Sequence, residues 1–95
     1  LYVYVDGSGN IYVADALNSR IQKFNSSGTF LMKFGSYGTG NGQFNIPYAI
    51  ALDGSGNIFV VDRLNNRVQK FDSNGNYVSQ FGTSGSGNGQ FNQPL

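Results

Sequence analysis

The chain repeats itself with a period of 47 residues. Asp6-Gly7-Ser8-Gly9-Asn10-Ile11 recurs as Asp53-Gly54-Ser55-Gly56-Asn57-Ile58, and Gly40-Asn41-Gly42-Gln43-Phe44-Asn45 recurs as Gly87-Asn88-Gly89-Gln90-Phe91-Asn92. About half of the aligned positions are identical and no insertion separates the copies, so 95 residues hold two periods and one residue more. This restricts the fold more than any local propensity does. Each period must be one supersecondary unit that stacks on its neighbours, and a period of about 40 to 50 residues suits propeller blades, among other repeat architectures. Two units are therefore expected, residues 1–47 and 48–95, each followed by its own connection.

Patterning and punctuation place four strands in each period. The first runs from Tyr2 to Val5, matched by Ala49 to Leu52, and the second from Ile11 to Ala14, matched by Ile58 to Val61. Apolar residues follow one another in the second strand, which predicts burial on both of its faces. The third runs from Arg20 to Phe24, matched by Arg67 to Phe71, and the fourth from Phe30 to Phe34, matched by Tyr77 to Phe81. The intervening segments are hairpin-sized and carry turn residues: Asp6 to Asn10, Asp15 to Ser19, and Asn25-Ser26-Ser27-Gly28. Each period thus reads as an antiparallel meander. The glycine-rich stretch from Gly35 to Pro47 carries the chain to the next meander, with Phe44 and Phe91 as apolar plugs between neighbours.

Composition agrees with an all-β chain and removes several function classes. Glycine accounts for 14 residues and charged residues for only 12%, which favours short strands and tight turns over exposed helices. The net charge of +1 supplies no basic field for non-specific nucleic-acid binding. There is no cysteine and no histidine, which excludes disulfides and thiolate chemistry and removes the usual general base and the commonest transition-metal ligand. No apolar stretch is long enough for a spanning helix, and no membrane partner is expected. The chain starts at Leu1 and its one methionine is Met32, which reads as a processed, trimmed or excised piece.

Pro47, Ile50-Ala51-Leu52-Asp53, Gly56-Asn57-Ile58-Phe59-Val60-Val61-Asp62, Asn65-Asn66-Arg67-Val68-Gln69-Lys70-Phe71, Gly75 and Phe81-Gly82 together resemble the NHL repeat. The resemblance covers essentially the whole chain and matches in order and spacing twice over. It departs from the family's name, an Asn-His-Leu sequence, since no histidine occurs. The resemblance implies a β-propeller of four-stranded antiparallel blades, most often six to a ring. Two blades cannot close a ring and would leave two large apolar faces open. The expectation is a homotrimer: if each blade turns the ring by about a sixth of a circle, a head-to-tail contact closes after three chains. Leu1 and Leu95 both align with Tyr48, so Phe44, Phe91, Pro94, Leu95, Leu1 and Tyr2 are the expected assembly residues.

Candidate sites divide into structural and functional readings. Asp6 to Asn10 begins like a calcium loop, but such loops need a bidentate Glu and the chain has none, so a hairpin turn is expected. Gly35, Gly38, Gly40 and Gly42 open no helix that would make them a phosphate cradle, and read as a connection. Asp15 with Arg20, and Asp62 with Arg67, read as carboxylates that cap a turn and pair an arginine. Lys23, Lys70 and Lys33 read as a solvated outer edge, and Asn25-Ser26-Ser27 as a glycosylation acceptor only if the protein is secreted.

No catalytic, cofactor-binding or metal-binding residue is expected. The expected binding surface is one loop face carrying Ala16, Leu17, Asn18, Tyr37, Arg63, Leu64 and Asn65; Tyr37 stands out because its counterpart is Ser84. The resemblance implies proteins, peptides or RNA as ligands of such a face, with RNA less favoured here, and the chain itself as assembly partner. A lyase of the kind that shares this propeller relies on histidine ligands that are missing; it would need Asp6, Asp53, Tyr4 or Arg20 grouped near the axis. The third reading is an engineered or excised propeller fragment whose only function is self-assembly.

Overall fold

The computed structural model describes residues 2–92, and Leu1, Pro94 and Leu95 of the expected assembly set lie outside them. Twelve strands and two short 3-10 turns make up the described fold, with no α-helix among the described residues. Strands β1 (Tyr2–Val5), β2 (Ile11–Asp15), β3 (Arg20–Phe24) and β4 (Phe30–Phe34) form one antiparallel sheet in chain order. Strands β7 (Pro47–Leu52), β8 (Ile58–Asp62), β9 (Arg67–Phe71) and β10 (Tyr77–Phe81) form the second in the same order. The expected first strand of the second unit begins at Pro47 instead of Ala49, because Pro47 already pairs with Asp62.

The connection after each sheet is more ordered than a glycine-rich stretch suggests. Strands β5 (Ser36–Tyr37) and β6 (Gln43–Phe44) pair in parallel, and β11 (Thr83–Ser84) and β12 (Gln90–Phe91) repeat that ladder. Gly35 sits between β4 and β5 at φ 105, a region closed to most side chains, and a Cβ there would lie 2.6 Å from the Phe44 ring. Ile46, between β6 and β7, has a φ of 62, a rare conformation for a β-branched residue.

The β1–β2, β3–β4, β7–β8 and β9–β10 hairpins close as Asx-turns. Asp6 Oδ1 accepts from the backbone N–H groups of Ser8 and Asn10, Asn25 Oδ1 from those of Ser27 and Thr29, and Asp53 and Asp72 repeat the arrangement. Hydrogen bonds from the Asn57 side chain and backbone hold the Asp53 carboxyl below its usual 3.8, and the backbone N–H of Asn76 does the same for Asp72.

The core lies between the sheets. The face of the first sheet bearing Tyr12, Ala14 and Ile21 packs on the face of the second bearing Ile50, Ile58, Val60 and Phe71, with Phe44 inserted beside them. Phe34, Phe44 and Phe71 form a ring cluster with centroids 4.7 to 6.5 Å apart. Opposite faces of equivalent sheets are therefore in contact, a head-to-tail stacking. It leaves two faces open: Val3 and Val5 of the first sheet are more than half exposed, and an apolar groove lined by Ala49, Ala51, Phe59, Val61, Val68 and Phe81 runs across the second.

The second strands correct one expectation. β8 is not buried on both faces: Ile58, Val60 and Asp62 are buried while Phe59 and Val61 are only partly covered, and β2 alternates likewise. Its apolar run is physically consistent with cover on both sides, but a stack of two sheets covers one side of each.

Candidate functional site

A buried polar network locks the connection of the first unit onto the second sheet. Asp62 ends β8 and Arg67 opens β9 directly opposite it in the ladder, which brings the carboxylate within 2.7 Å of Arg67 Nε. A 3-10 turn, Arg63–Asn65, reverses the chain between them, and Asn66 takes the left-handed conformation with φ 52 that ends it. Arg67 Nη1 donates to the Thr39 carbonyl (3.0 Å) and to Gln80 Oε1 (3.0 Å), and Nη2 donates to the carbonyls of Gly40 (2.8 Å) and Gln43 (2.7 Å). All five guanidinium donors are thus used.

The acceptors and the glutamine beside them are equally well served. Asp62 accepts from the Asn45 backbone N–H (2.7 Å), Asn65 Nδ2 (3.0 Å) and Gln69 Nε2 (3.2 Å) besides Arg67. Gln69 Nε2 donates to the Gln43 carbonyl (2.7 Å), and its Oε1 accepts from the Gly42 N–H (2.9 Å). A buried ion pair of this kind holds because each charge keeps its full set of partners. Gly40 N–H donates to Gln43 Oε1 within the connection and Gly42 N–H to Gln69 Oε1 on β9, and they present no anion cradle.

The first sheet carries the same residues with far fewer partners. Arg20 Nε donates to Asp15 at 3.0 Å, but the side chains are 34% and 19% exposed, against 6% and 0% for Arg67 and Asp62. Asn18 Nδ2 donates to Asp15 (3.0 Å), and this bond foremost, with Arg20 adding to it, holds the Asp15 carboxyl below its usual 3.8. Both expected Asp–Arg pairs form, but neither carboxylate caps the backbone of its 3-10 turn as expected, and only the second pair is enclosed.

The loop-face residues gather at the end of the sheets where the 3-10 turns lie. The backbone N–H groups of Arg63 and Leu64 donate to the carbonyls of Ile46 and Asn45, and Asn65 Nδ2 donates to the Gly38 carbonyl beside Tyr37. A cleft of about 210 Å³ opens here between the sheets, lined by Tyr2, Ala14, Ala16, Leu17, Ile46, Pro47, Tyr48 and Arg63. The Arg63 guanidinium carbon lies 5.6 Å from the Tyr48 ring centroid, its Nε is buried with no hydrogen-bond partner, and it makes no ion pair among the described residues. Leu17 and Tyr37 are 91% and 72% exposed and free to meet a ligand. Asn18 and Asn65 are instead committed to Asp15 and Asp62.

Other sequence expectations divide. Phe44 is fully buried as expected of a plug, whereas Phe91 is only half-buried, resting against Phe81. Lys23 and Lys70 are not on an outer edge. They lie on the third strands, directly across from Tyr12 and Phe59, with each ammonium 5.3 and 5.7 Å from the ring centroid; only Lys33 is on an outer strand. Asp6 and Asp53 sit in hairpin turns at the opposite end of the sheets from Arg20, so the topology does not group them. No group of three or more His, Cys, Asp or Glu that could hold a metal ion occurs among the described residues. Sequence reasoning missed Gln69 and Gln43 as parts of the network; their exact recurrence as Gln22 and Gln90 was the available signal.

No family model matches the chain. Among solved structures it is similar to a Bacteroides fragilis NCTC 9343 protein described as a "Putative exported protein", with a TM-score of 0.71 at 20% identity over 83% of this chain and 23% of that one. It is also similar to a protein of unknown function from Bacteroides caccae, with a TM-score of 0.60 at 24% identity over 90% of this chain and 31% of that one. The likeness concerns the fold, and the chain spans less than a third of the length of either protein.

Proposed function

We propose that the chain is a pair of NHL-type propeller blades that works by assembly and binding and not by catalysis. Three copies close head to tail into a six-bladed ring, and the loop face of that ring takes a protein or peptide. The observation that carries this reading is the stacking itself: unlike faces of two equivalent sheets meet, and the two faces left open are the same unlike pair. A heterologous contact of this kind either closes into a ring or runs on as a filament, and a turn of about a sixth of a circle per blade closes it at six.

Binding is assigned to the cleft beside Arg63. A guanidinium with no carboxylate among the described residues, set against Tyr48 and rimmed by exposed Leu17, suits a peptide that offers a carboxylate next to an apolar side chain. RNA is the weaker candidate, because Lys23 and Lys70 cover rings and the net charge is +1. Catalysis is set aside on the residue inventory, which offers neither histidine nor cysteine as base or nucleophile. A peptide array probed with the intact chain is the test. Acidic peptides are expected to be retained, and Arg63→Gln to weaken them about tenfold or more, the equivalent of a charged hydrogen bond of about 1.5 to 3 kcal/mol. Retention that ignores Arg63, or no retention at all, counts against the binding assignment.

A further inference from the structure

We infer that the outer face of the first sheet carries a docking slot, built from Asp15, Arg20, Gln22 and Phe24, for the Gly85–Asn92 segment of a second copy of this chain. The inference rests on the head-to-tail reading and gives it a specific joint. Asp15, Arg20 and Gln22 stand 47 residues before Asp62, Arg67 and Gln69, which with Asn65 grip the Gly38–Asn45 segment inside the chain. Arg67 spends three of its five donated bonds on that segment and the other two on Asp62 and Gln80, whereas among the described residues only Nε of Arg20 donates, to Asp15.

The segment that would fill the slot is already shaped for it. Gly85 N–H donates to the Phe91 carbonyl (3.0 Å), Gln90 N–H to the Gly87 carbonyl (3.1 Å), and Gly87 N–H to Gln90 Oε1 (2.9 Å). The matching bonds in the engaged segment, from Gly38, Gln43 and Gly40, measure 3.1, 3.1 and 2.9 Å. Engagement differs: Phe44 is fully buried against Phe71, while Phe91 is half-buried and its counterpart partner, Phe24, is half-buried too. Slot and segment lie on opposite outer sides of the two-sheet stack, so they cannot meet within one chain, and a second copy is the occupant that brings the same surfaces together.

One substitution makes the joint between copies weaker than the joint within a chain. Gln80, which accepts from Arg67 Nη1, has Lys33 as its counterpart, so Arg20 loses an acceptor there and gains a like charge as neighbour. Association is therefore concentration-dependent, whereas the two sheets of one chain stay together.

Complementation between full-length variants tests the slot. Arg20→Ala disables the slot and leaves the segment; Phe91→Ala disables the segment and leaves the slot, with Gln90→Ala as a second segment variant should Phe91→Ala lose its β-sheet circular dichroism. Sedimentation velocity of the wild type and of each variant alone is expected to show assembly only for the wild type, with dissociation constants raised about a hundredfold in the variants. An equimolar mixture of slot and segment variants is expected to give a one-to-one heterodimer, because one intact joint remains and no ring can close. Variants that assemble like the wild type, or a mixture that stays monomeric, overturn the slot. A wild-type trimer indifferent to Arg20→Ala overturns the slot and leaves the ring. A wild-type oligomer of another size that Arg20→Ala dissolves overturns threefold closure and leaves the slot, and a monomeric wild type overturns both.

Discussion

Arg67→Ala is expected to destabilise the chain by about 3 to 5 kcal/mol, because it leaves the Asp62 carboxylate buried without its charge partner. The arginine is also the clasp between the two units: its Nη groups hold the carbonyls of Thr39, Gly40 and Gln43, all in the connection that leaves the first sheet. A domain of this size has only about 5 to 15 kcal/mol to lose, so the effect is a large fraction of its stability. The same change at Arg20, made at a dilution where the chain is monomeric, should cost no more than about 1 kcal/mol, since that pair is partly solvated. Urea unfolding of both variants measures the contrast. Equal losses at the two positions would mean that burial of the network is not what gives Arg67 its weight.

Phe44→Ala is the second large effect, at about 3 to 5 kcal/mol. Phe44 is fully buried, its ring packs against Phe34 and Phe71, and Gly35 lacks a side chain at the point where the ring passes. Such an enclosure has little freedom to collapse, because the Phe44 backbone is pinned by the β5–β6 ladder and by the Gly38 N–H. Thermal unfolding should show a matching fall in midpoint, with the transition still cooperative. A loss below about 1 kcal/mol would show that the sheets close over the gap and that Phe44 is not the plug between units.

Much of this architecture was legible in the sequence because its signals are local. Short apolar runs, Asp-Gly and Asn-Ser turn chemistry and the repeat itself placed the eight long strands, and the Asp15–Arg20 and Asp62–Arg67 pairs followed from residues that face each other across a hairpin. The β5–β6 ladder was not legible, since its two-residue strands are held by hydrogen bonds in a glycine-rich stretch and carry no apolar pattern. Gln69 escaped notice for a related reason: its partners Gly42 and Gln43 lie 26 to 27 residues away in sequence, and a glutamine within a strand reads as a solvent-facing residue. Lys23 and Lys70 were misplaced because a lysine's charge suggests an edge, while its aliphatic stem covers the aromatic ring across the ladder. At the loop face, the repeat hid the informative difference. Arg63 stands where the first unit has Ala16, so the cleft between the two sheets carries a guanidinium on the side of the second sheet only.

Light scattering over a wide concentration range gives the solution mass that decides whether three chains close into a ring. The expected result is a species of about 31 kDa, three times the 10.3 kDa chain, that gives way to monomer on dilution without passing through larger forms. A well-folded 10.3 kDa species at every concentration would contradict it.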